Sequence, residues 1–430
     1  MRKLSYRIYH AIGALLHWGG RKLTPAGQVA LGALVLCGVF GIDTTQSTAY
    51  RMFAFLAVLL ALAGGGARFA RRSRFAVERD LPRVASVGES FDYRLRITNL
   101  GTRPVRAVTL CDDIDDPRPG FEQFRRALRI PTYRGWQRLV RANRVATIGN
   151  MPCADLAPGA VLDIRMRGAA LRRGRIHFSG VTIACDEPLG LARSLAAQAL
   201  AGNLTVLPKR YKLPPIALPG GRRLQQGGVA LASSVGDSEE FIGLRDYRPG
   251  DALQRVHWKS FARTGKPVVR EYQDEFFERH ALVLDTFVAP AAMDAFEEAV
   301  AVAASFACTI DTQECLLDLM FVAGRTHTYT AGRGLLGTGS LLELLAGVRP
   351  CDDQPFSALA DTLRERAAGL SGCICILVGW DRARADMIDA LRARGAALRV
   401  ICVAAAAPAD APPWLLHLVP GRVQEGLAGL

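Results

Sequence analysis

At 430 residues the chain exceeds one ordinary domain, and half of it is hydrophobic although 22% of its residues are charged. Its mean hydropathy of +0.14 is high for a purely soluble protein of that charge content, so some segment is expected to contact lipid. The formal net charge of +14 does not by itself imply nucleic acid: Arg and Lys dominate up to about residue 279, and acids outnumber bases beyond it.

The 10 cysteines are scattered, with no Cys-x-x-Cys and no histidines at metal-finger spacing. That excludes a zinc finger or a disulfide scaffold and leaves buried free thiols in a reducing compartment.

Residues 1–22 read as a basic N-terminal segment facing the cytoplasm. Residues 23–67 then hold two apolar stretches, 23–42 and 50–66, joined by a polar turn at 43–48. A bilayer core needs about 20 helical residues, so the first stretch qualifies and the second is marginal. Arg2, Lys3, Arg7, Arg21 and Lys22 precede the pair and Arg68, Arg71, Arg72 and Arg74 follow it, whereas the turn region offers only Asp43 and Arg51. The positive-inside bias therefore predicts a transmembrane helical hairpin with both ends in the cytoplasm. A cleavable signal peptide fits poorly, because a long segment precedes the first stretch and a second one follows.

Residues 75–207 carry short alternating segments separated by turns, at 90–98, 105–110, 161–167, 176–178 and 181–183. This spacing predicts an antiparallel β-sandwich of immunoglobulin-like type. It is interrupted at 117–151 by a basic insertion with Phe121, Phe124, Tyr133 and Trp136 among many arginines. The insertion reads as a helical excursion packed on its own sandwich; an anionic membrane face and single-stranded nucleic acid are the alternatives.

Residues 208–279 contain the most distinctive stretch, 240–272. Pro249-Gly250-Asp251 is strong turn chemistry. Arg245, Arg248, Arg255, Lys259, Arg263 and Lys266 alternate there with Tyr247, His257 and Trp258. Such a surface suits ladders of Arg–carboxylate bonds or an anion. No nucleophile stands at a defensible spacing from His257, so a structural or interaction role is expected before catalysis.

These residues carry a resemblance. The run through Arg245, Tyr247, Pro249-Gly250-Asp251, Arg255, His257-Trp258-Lys259 and Arg263 resembles the hallmark of the bacterial family called domain of unknown function 58. Arg173-Gly174-Arg175 leading to the loop from Asp186 to Leu191 is similar to that family as well. Members of that family commonly accompany MoxR-type AAA+ ATPases, von Willebrand A proteins and transglutaminase-like proteins. The resemblance therefore implies an accessory or adaptor role, here expected at the bacterial inner membrane with the soluble domains in the cytoplasm.

Residues 280–430 alternate apolar strands (280–285, 315–322, 373–378, 398–404) with helices (291–310, 339–346, 356–368, 383–394), which predicts a doubly wound α/β domain. The resemblance points to a von Willebrand factor A-like fold. An adhesion-type cation site would need Asp-x-Ser-x-Ser, and the corresponding run is Asp285-Thr286-Phe287-Val288-Ala289. Asp285, Thr338 and Asp381 are therefore a degenerate remnant, and no Mg²⁺ or other cofactor is expected.

The chain carries no Gly-x-Ser-x-Gly, no phosphate-cradling Gly-x-x-x-x-Gly-Lys and no His-Glu-x-x-His. The expectation is thus not an enzyme but a multidomain, membrane-anchored adaptor mediating protein–protein contacts. Its partners are the lipid bilayer and, by resemblance, a MoxR-type ATPase. Binding of anionic lipid or nucleic acid through the basic regions is the alternative.

Overall fold

Thr24 and Pro25 open the apolar part of the chain with favourable helix-start chemistry. Pro25 presets a first-turn dihedral, and the Thr24 hydroxyl accepts from the Gly27 amide at 3.1 Å. In the computed structural model this cap starts α2 (Pro25–Phe40), preceded by α1 (Arg2–Lys22) and followed by α3 (Ser47–Phe69). The structure describes residues 2–40, 47–69, 74–102, 104–128, 130–214, 239–251, 253–274, 278–289, 292–310, 315–332, 335–351 and 353–429. They form two units, 1–209 and 210–430.

Among the described residues one helix, Thr48–Arg68, is long and apolar enough to cross a membrane, and Pro25–Val39 is a shorter apolar helix. α3 continues past its apolar run to Phe69, whereas the first stretch, expected to reach residue 42, is described only as far as Phe40. Gly38 of α2 lies against the Phe53 ring of α3. Ser47 and Thr48, expected in the turn, are already helical, while the rest of that turn and Arg71 and Arg72 lie outside the described residues.

The first unit continues with β1 (Phe75–Asp80), β2 (Val84–Ser86), β3 (Ser90–Asn99), β4 (Val108–Ile114), α4 (Phe121–Ala127), α5 (Tyr133–Asn143), β5 (Ala146–Ile148) and β6 (Met151–Cys153). β7 (Val161–Ala170), β8 (Gly174–Asp186) and β9 (Arg193–Leu207) complete it. They build two sheets, ordered β1-β3-β7-β5 and β2-β9-β8-β4-β6. Strict alternation along β3 turns Phe91, Tyr93, Leu95 and Ile97 inward, where they meet Leu110, Ile183 and Leu204 of the second sheet in one core. This is a β-sandwich. It is not purely antiparallel, since β2 runs parallel to β9. The segments expected at 176–178 and 181–183 are one strand, β8, with a register shift between Phe178 and Gly180.

A buried ion pair bridges the sheets. Arg79 of β1 donates its Nε to Asp112 Oδ2 of β4 at 3.1 Å, and Tyr93 Oη donates to the same oxygen at 2.6 Å. Further guanidinium bonds reach the Leu200 and Gly180 carbonyls at 2.7 and 3.1 Å, so the charge is satisfied on several sides.

Much of the basic insertion is built into the sandwich. Its β5 joins the edge of one sheet beside β7, and β6 joins the other beside β4. Two of the four aromatics of α4 and α5 are buried, and Tyr133 is exposed. Phe124 and Trp136 are buried and pack with Tyr6 and Tyr9 of α1, at ring-centroid distances of 5.6 to 6.4 Å. Residues 1–22, expected only as a lead-in, are thus part of the fold. Arg21, near the end of α1, pairs with Asp113 of β4 at 2.7 Å.

The loop after β8 seats the apolar helices. Buried Glu187 folds the loop around itself by accepting from the amides of Leu189, Leu191 and Ala192 at 2.7, 2.8 and 3.3 Å, with Gly190 at a φ of +67°. Against this loop, Thr24 donates its amide to the Leu191 carbonyl at 3.1 Å and its hydroxyl to the Gly190 carbonyl at 2.5 Å. A Cβ on Gly27 would stand 1.9 Å from the Leu191 oxygen, so only glycine permits this approach. Ala63 and Ala67 of α3 pack on Ala192.

The second unit begins with a strap. Tyr211 donates its hydroxyl to Glu298 and its amide to the Ser305 hydroxyl at 2.8 Å, and Lys212 exchanges two backbone bonds with the side chain of Gln424. β10 (Glu239–Asp246) and β11 (Val268–Asp274) form a separate antiparallel ribbon with α6 (Trp258–Thr264) between them.

Beyond the ribbon come β12 (Glu278–Leu284), α7 (Met293–Thr309), β13 (Cys315–Ala323), β14 (Arg325–Ala331), α8 (Thr338–Gly347), α9 (Ser357–Arg366), β15 (Gly372–Val378), α10 (Arg382–Ala393), β16 (Leu398–Val403), β17 (Leu415–Leu418) and α11 (Val423–Leu427). Their sheet runs β14-β13-β12-β15-β16-β17, parallel except for β14. Ala281, Val283, Cys373 and Cys375 face one side with α9 and α10. The intervening Leu282, Leu284, Ile374 and Ile376 face the other side, where α7 lies against β12 and β15. The domain is a doubly wound α/β sheet.

Candidate functional site

The residues expected to carry function fall in two places of the second unit. The first is the ribbon. Pro249 and Gly250 turn the chain out of β10, with Gly250 at a φ of +107°. Asp251 locks that turn: its two oxygens take both terminal nitrogens of Arg245 at 2.8 Å, and Oδ2 also accepts from the Arg248 amide at 2.8 Å. The Arg245 guanidinium, followed by the Arg248 amide, holds the Asp251 carboxyl down at about 2. The Tyr247 amide donates to the Pro267 carbonyl at 3.0 Å, closing the ribbon across its open end. Arg255 ends the short turn 253–255 that leads into α6.

His257 is held from both sides. Its amide donates to the Val268 carbonyl at 2.9 Å, and its Nδ1 lies 2.7 Å from the Ser260 hydroxyl. Buried Val256 and Val269 pair beneath it. Gly265, at a φ of +67°, caps α6 by donating to the Phe261 carbonyl at 2.9 Å. None of the seven residues of α6 is buried. Trp258 is 60% exposed, its ring edge-on to Phe261 at 6.1 Å, and Lys259 and Arg263 project to solvent from the same helix. The motif thus uses Arg245, Asp251 and His257 as internal braces and leaves an aromatic and cationic helix outside.

The second place is the crevice between β12 and β15, where the strand order reverses and doubly wound sheets bind ligands. Asp285 follows β12 there and is completely buried. It accepts from the amides of Phe287 and Val378 at 2.9 and 3.0 Å and from Arg384 Nε at 2.7 Å. Burial pushes its carboxyl up, against the pull of that guanidinium and the two amides. Arg384 also donates to the Phe287 carbonyl at 2.8 Å, pairs with Asp381, and lies 5.0 Å from the Phe356 ring centroid.

A guanidinium therefore stands where the remnant pattern expects a cation. Asp381 is the N-cap of α10, accepting from the Arg384 amide at 2.9 Å, and Thr286 turns its hydroxyl to the Val322 carbonyl at 2.6 Å. Thr338 opens α8 and takes no part in this network. Asp285 and Asp381 both bond to Arg384. Among the described residues no group of three or more His, Cys, Asp or Glu is placed to hold a metal.

Sequence reasoning overlooked Arg384, although an aspartate N-cap followed three residues later by arginine is a readable signal at 381–384. It also overlooked Gly27, which nothing in hydropathy distinguishes from the other glycines of the apolar helices.

The second unit is thus an α/β domain with a filled ligand crevice and a braced ribbon displaying one uncovered helix. Residues 243–412, from within β10 to just short of β17, match the family model described as protein of unknown function DUF58. The chain is 30% identical over 139 residues to the uncharacterized protein YeaD of Bacillus subtilis (strain 168), covering 32% of this chain and 33% of that protein. The chain thus spans a third of this curated relative, and both matches support the DUF58 family for this region. Among solved structures, the CARDB domain of the PF1109 protein from Pyrococcus furiosus is 14% identical with a TM-score of 0.18, covering 31% of this chain and 89% of that one. A Salmonella alpha-2-macroglobulin mutant is 18% identical with a TM-score of 0.20, covering 34% and 8%. Likeness at that level assigns no fold; the sandwich rests on its own sheets and core.

Proposed function

We propose that the protein is a membrane-anchored adaptor of the bacterial inner membrane. It crosses twice through α2 and α3, keeps both folded units in the cytoplasm, and presents the second unit to a MoxR-type AAA+ ATPase. The observation that carries this reading is α6. A seven-residue helix with Trp258 and Phe261 exposed beside Lys259 and Arg263 is the composition of a protein-binding hot spot. The bonds of Asp251 and His257 brace the turn and helix that carry it.

We read the α/β domain as von Willebrand factor A-like. Its strand order, with a single antiparallel edge, supports that reading, and Arg384 in the crevice favours protein contact without a bridging cation. The basic residues flanking α2 and α3 support the cytoplasmic orientation.

The test is a titration of the full chain in detergent with a purified MoxR-type ATPase from the same cell. Trp258→Ala is expected to weaken binding by about tenfold or more, as truncation of a central aromatic does. Absence of binding by the unaltered chain sinks the partnership. The cationic surface of α6 also supports a second reading, binding of anionic lipid or nucleic acid. Steep loss of polyanion binding with rising salt would favour it over the adaptor.

A further inference from the structure

α1 has two opposed faces. On one, Tyr6, Tyr9 and His10 pack on the aromatics of α4 and α5, and Gly13 approaches Arg118. At 100° per residue, the far side carries Leu4, Ile8, Ile12, Leu15 and Trp18. They are exposed by 64, 47, 39, 67 and 51%. A helix already anchored by one face does not display five large apolar side chains on the other without something to cover them.

The surroundings identify the cover. Lys22 places its ammonium 5.0 Å from the Trp18 ring centroid, at the end of the stripe, and Arg7 borders it. Only Leu23 and Thr24 separate α1 from α2, whose Val29, Val35, Leu36 and Val39 are likewise exposed. An apolar stripe edged by cations and continuous with an apolar helix matches an acyl region beneath anionic headgroups.

We propose that α1 lies flat in the interfacial layer of an anionic bilayer, its Leu4–Trp18 stripe in lipid and its aromatic face holding the sandwich insertion against the surface. The assignment rests on the reading of α2 and α3 as membrane spans, and the same sample separates the two.

The full chain is reconstituted into phosphatidylethanolamine and phosphatidylglycerol vesicles whose acyl chains are brominated near the carbonyls. The emission of Trp18 is obtained by difference from Trp18→Phe. The proposal expects incorporation that survives carbonate washing, together with at least about twofold quenching of the Trp18 contribution. Ile8→Asp with Leu15→Asp, which spares the packed face, removes that quenching while incorporation persists. Incorporated chain with unquenched Trp18 overturns the proposal and leaves the spans intact. If Trp18 is unquenched but blue-shifted, a second copy of the chain covers the stripe, and the lipid assignment is wrong. Quenching that carbonate abolishes supports α1 in the interface and defeats the spans.

Discussion

Arg384 stands 2.7 Å from Asp285, Nε to Oδ2, with side-chain exposures of 9 and 0%. The pair occupies the crevice that a doubly wound sheet ordinarily keeps for a ligand. Removing one partner leaves a buried charge uncompensated, which costs far more than the pair contributes net. Arg384→Ala is expected to destabilise the α/β unit by about 3–5 kcal/mol in urea unfolding. Millimolar Mg²⁺ is expected to leave the variant's midpoint unchanged, because Phe287 and Ala289 supply no hydroxyls. Rescue by Mg²⁺ would show a dormant cation site.

The same logic applies inside the sandwich. Asp112→Ala strands the Arg79 guanidinium between the two sheets and is expected to cost about 3–5 kcal/mol. Tyr93→Phe removes one bond to a charged acceptor and should cost about 1.5–3 kcal/mol. Equal effects of the two substitutions in urea unfolding would contradict the central place given to the ion pair.

The ribbon turn should depend on pH in one direction. Asp251 is held at about 2 in the folded chain, below the ordinary carboxylate value near 4. A depressed carboxyl contributes stability that is complete above the unfolded value and is lost as pH falls through the folded one. Amide exchange at Arg248 is therefore expected to stay protected from neutral pH down to about 4 and to lose protection progressively towards 2. Asp251→Asn should weaken that protection already at neutral pH. A turn indifferent to both changes would show that the Arg245 pair is ornamental.

Gly27 offers a steric test. Any side chain there meets the Leu191 carbonyl, so Gly27→Val must push α2 away from the loop that Glu187 organises. Exchange at the Leu189 and Leu191 amides is expected to quicken by about tenfold or more, equivalent to roughly 1.4 kcal/mol of lost protection. Unchanged exchange would mean that the helix is not seated on that loop.

How much of this could be read beforehand follows the physics of each element. β3 and β7 are legible because one face is buried and the alternation is strict. α7 and β15 are legible as apolar runs of helix and strand length. β14 is not, since Arg325–Ala331 is half-exposed and polar and pairs only along one edge of the sheet. α1 escapes notice because its apolar residues recur at helical spacing and are interrupted by His10 and His17 between basic ends, so no run reaches the length of a span. The motif residues can be recognised as a group, but the pairing of Arg245 with Asp251 depends on a turn whose closure only coordinates reveal. Arg384 looks like one more surface base until the fold buries it.

The Leu23–Ala192 bridge and the Thr24 bonds leave no slack between α2 and the strand that carries the sandwich. Such a joint behaves as a stiff lever and not as a tether. If α2 crosses a bilayer as proposed, a tilt of that helix in a thinner bilayer would pass to the β8–β9 arm through these bonds, with no linker to dissipate it. Lipid composition would in that case set the angle of this first unit to the bilayer.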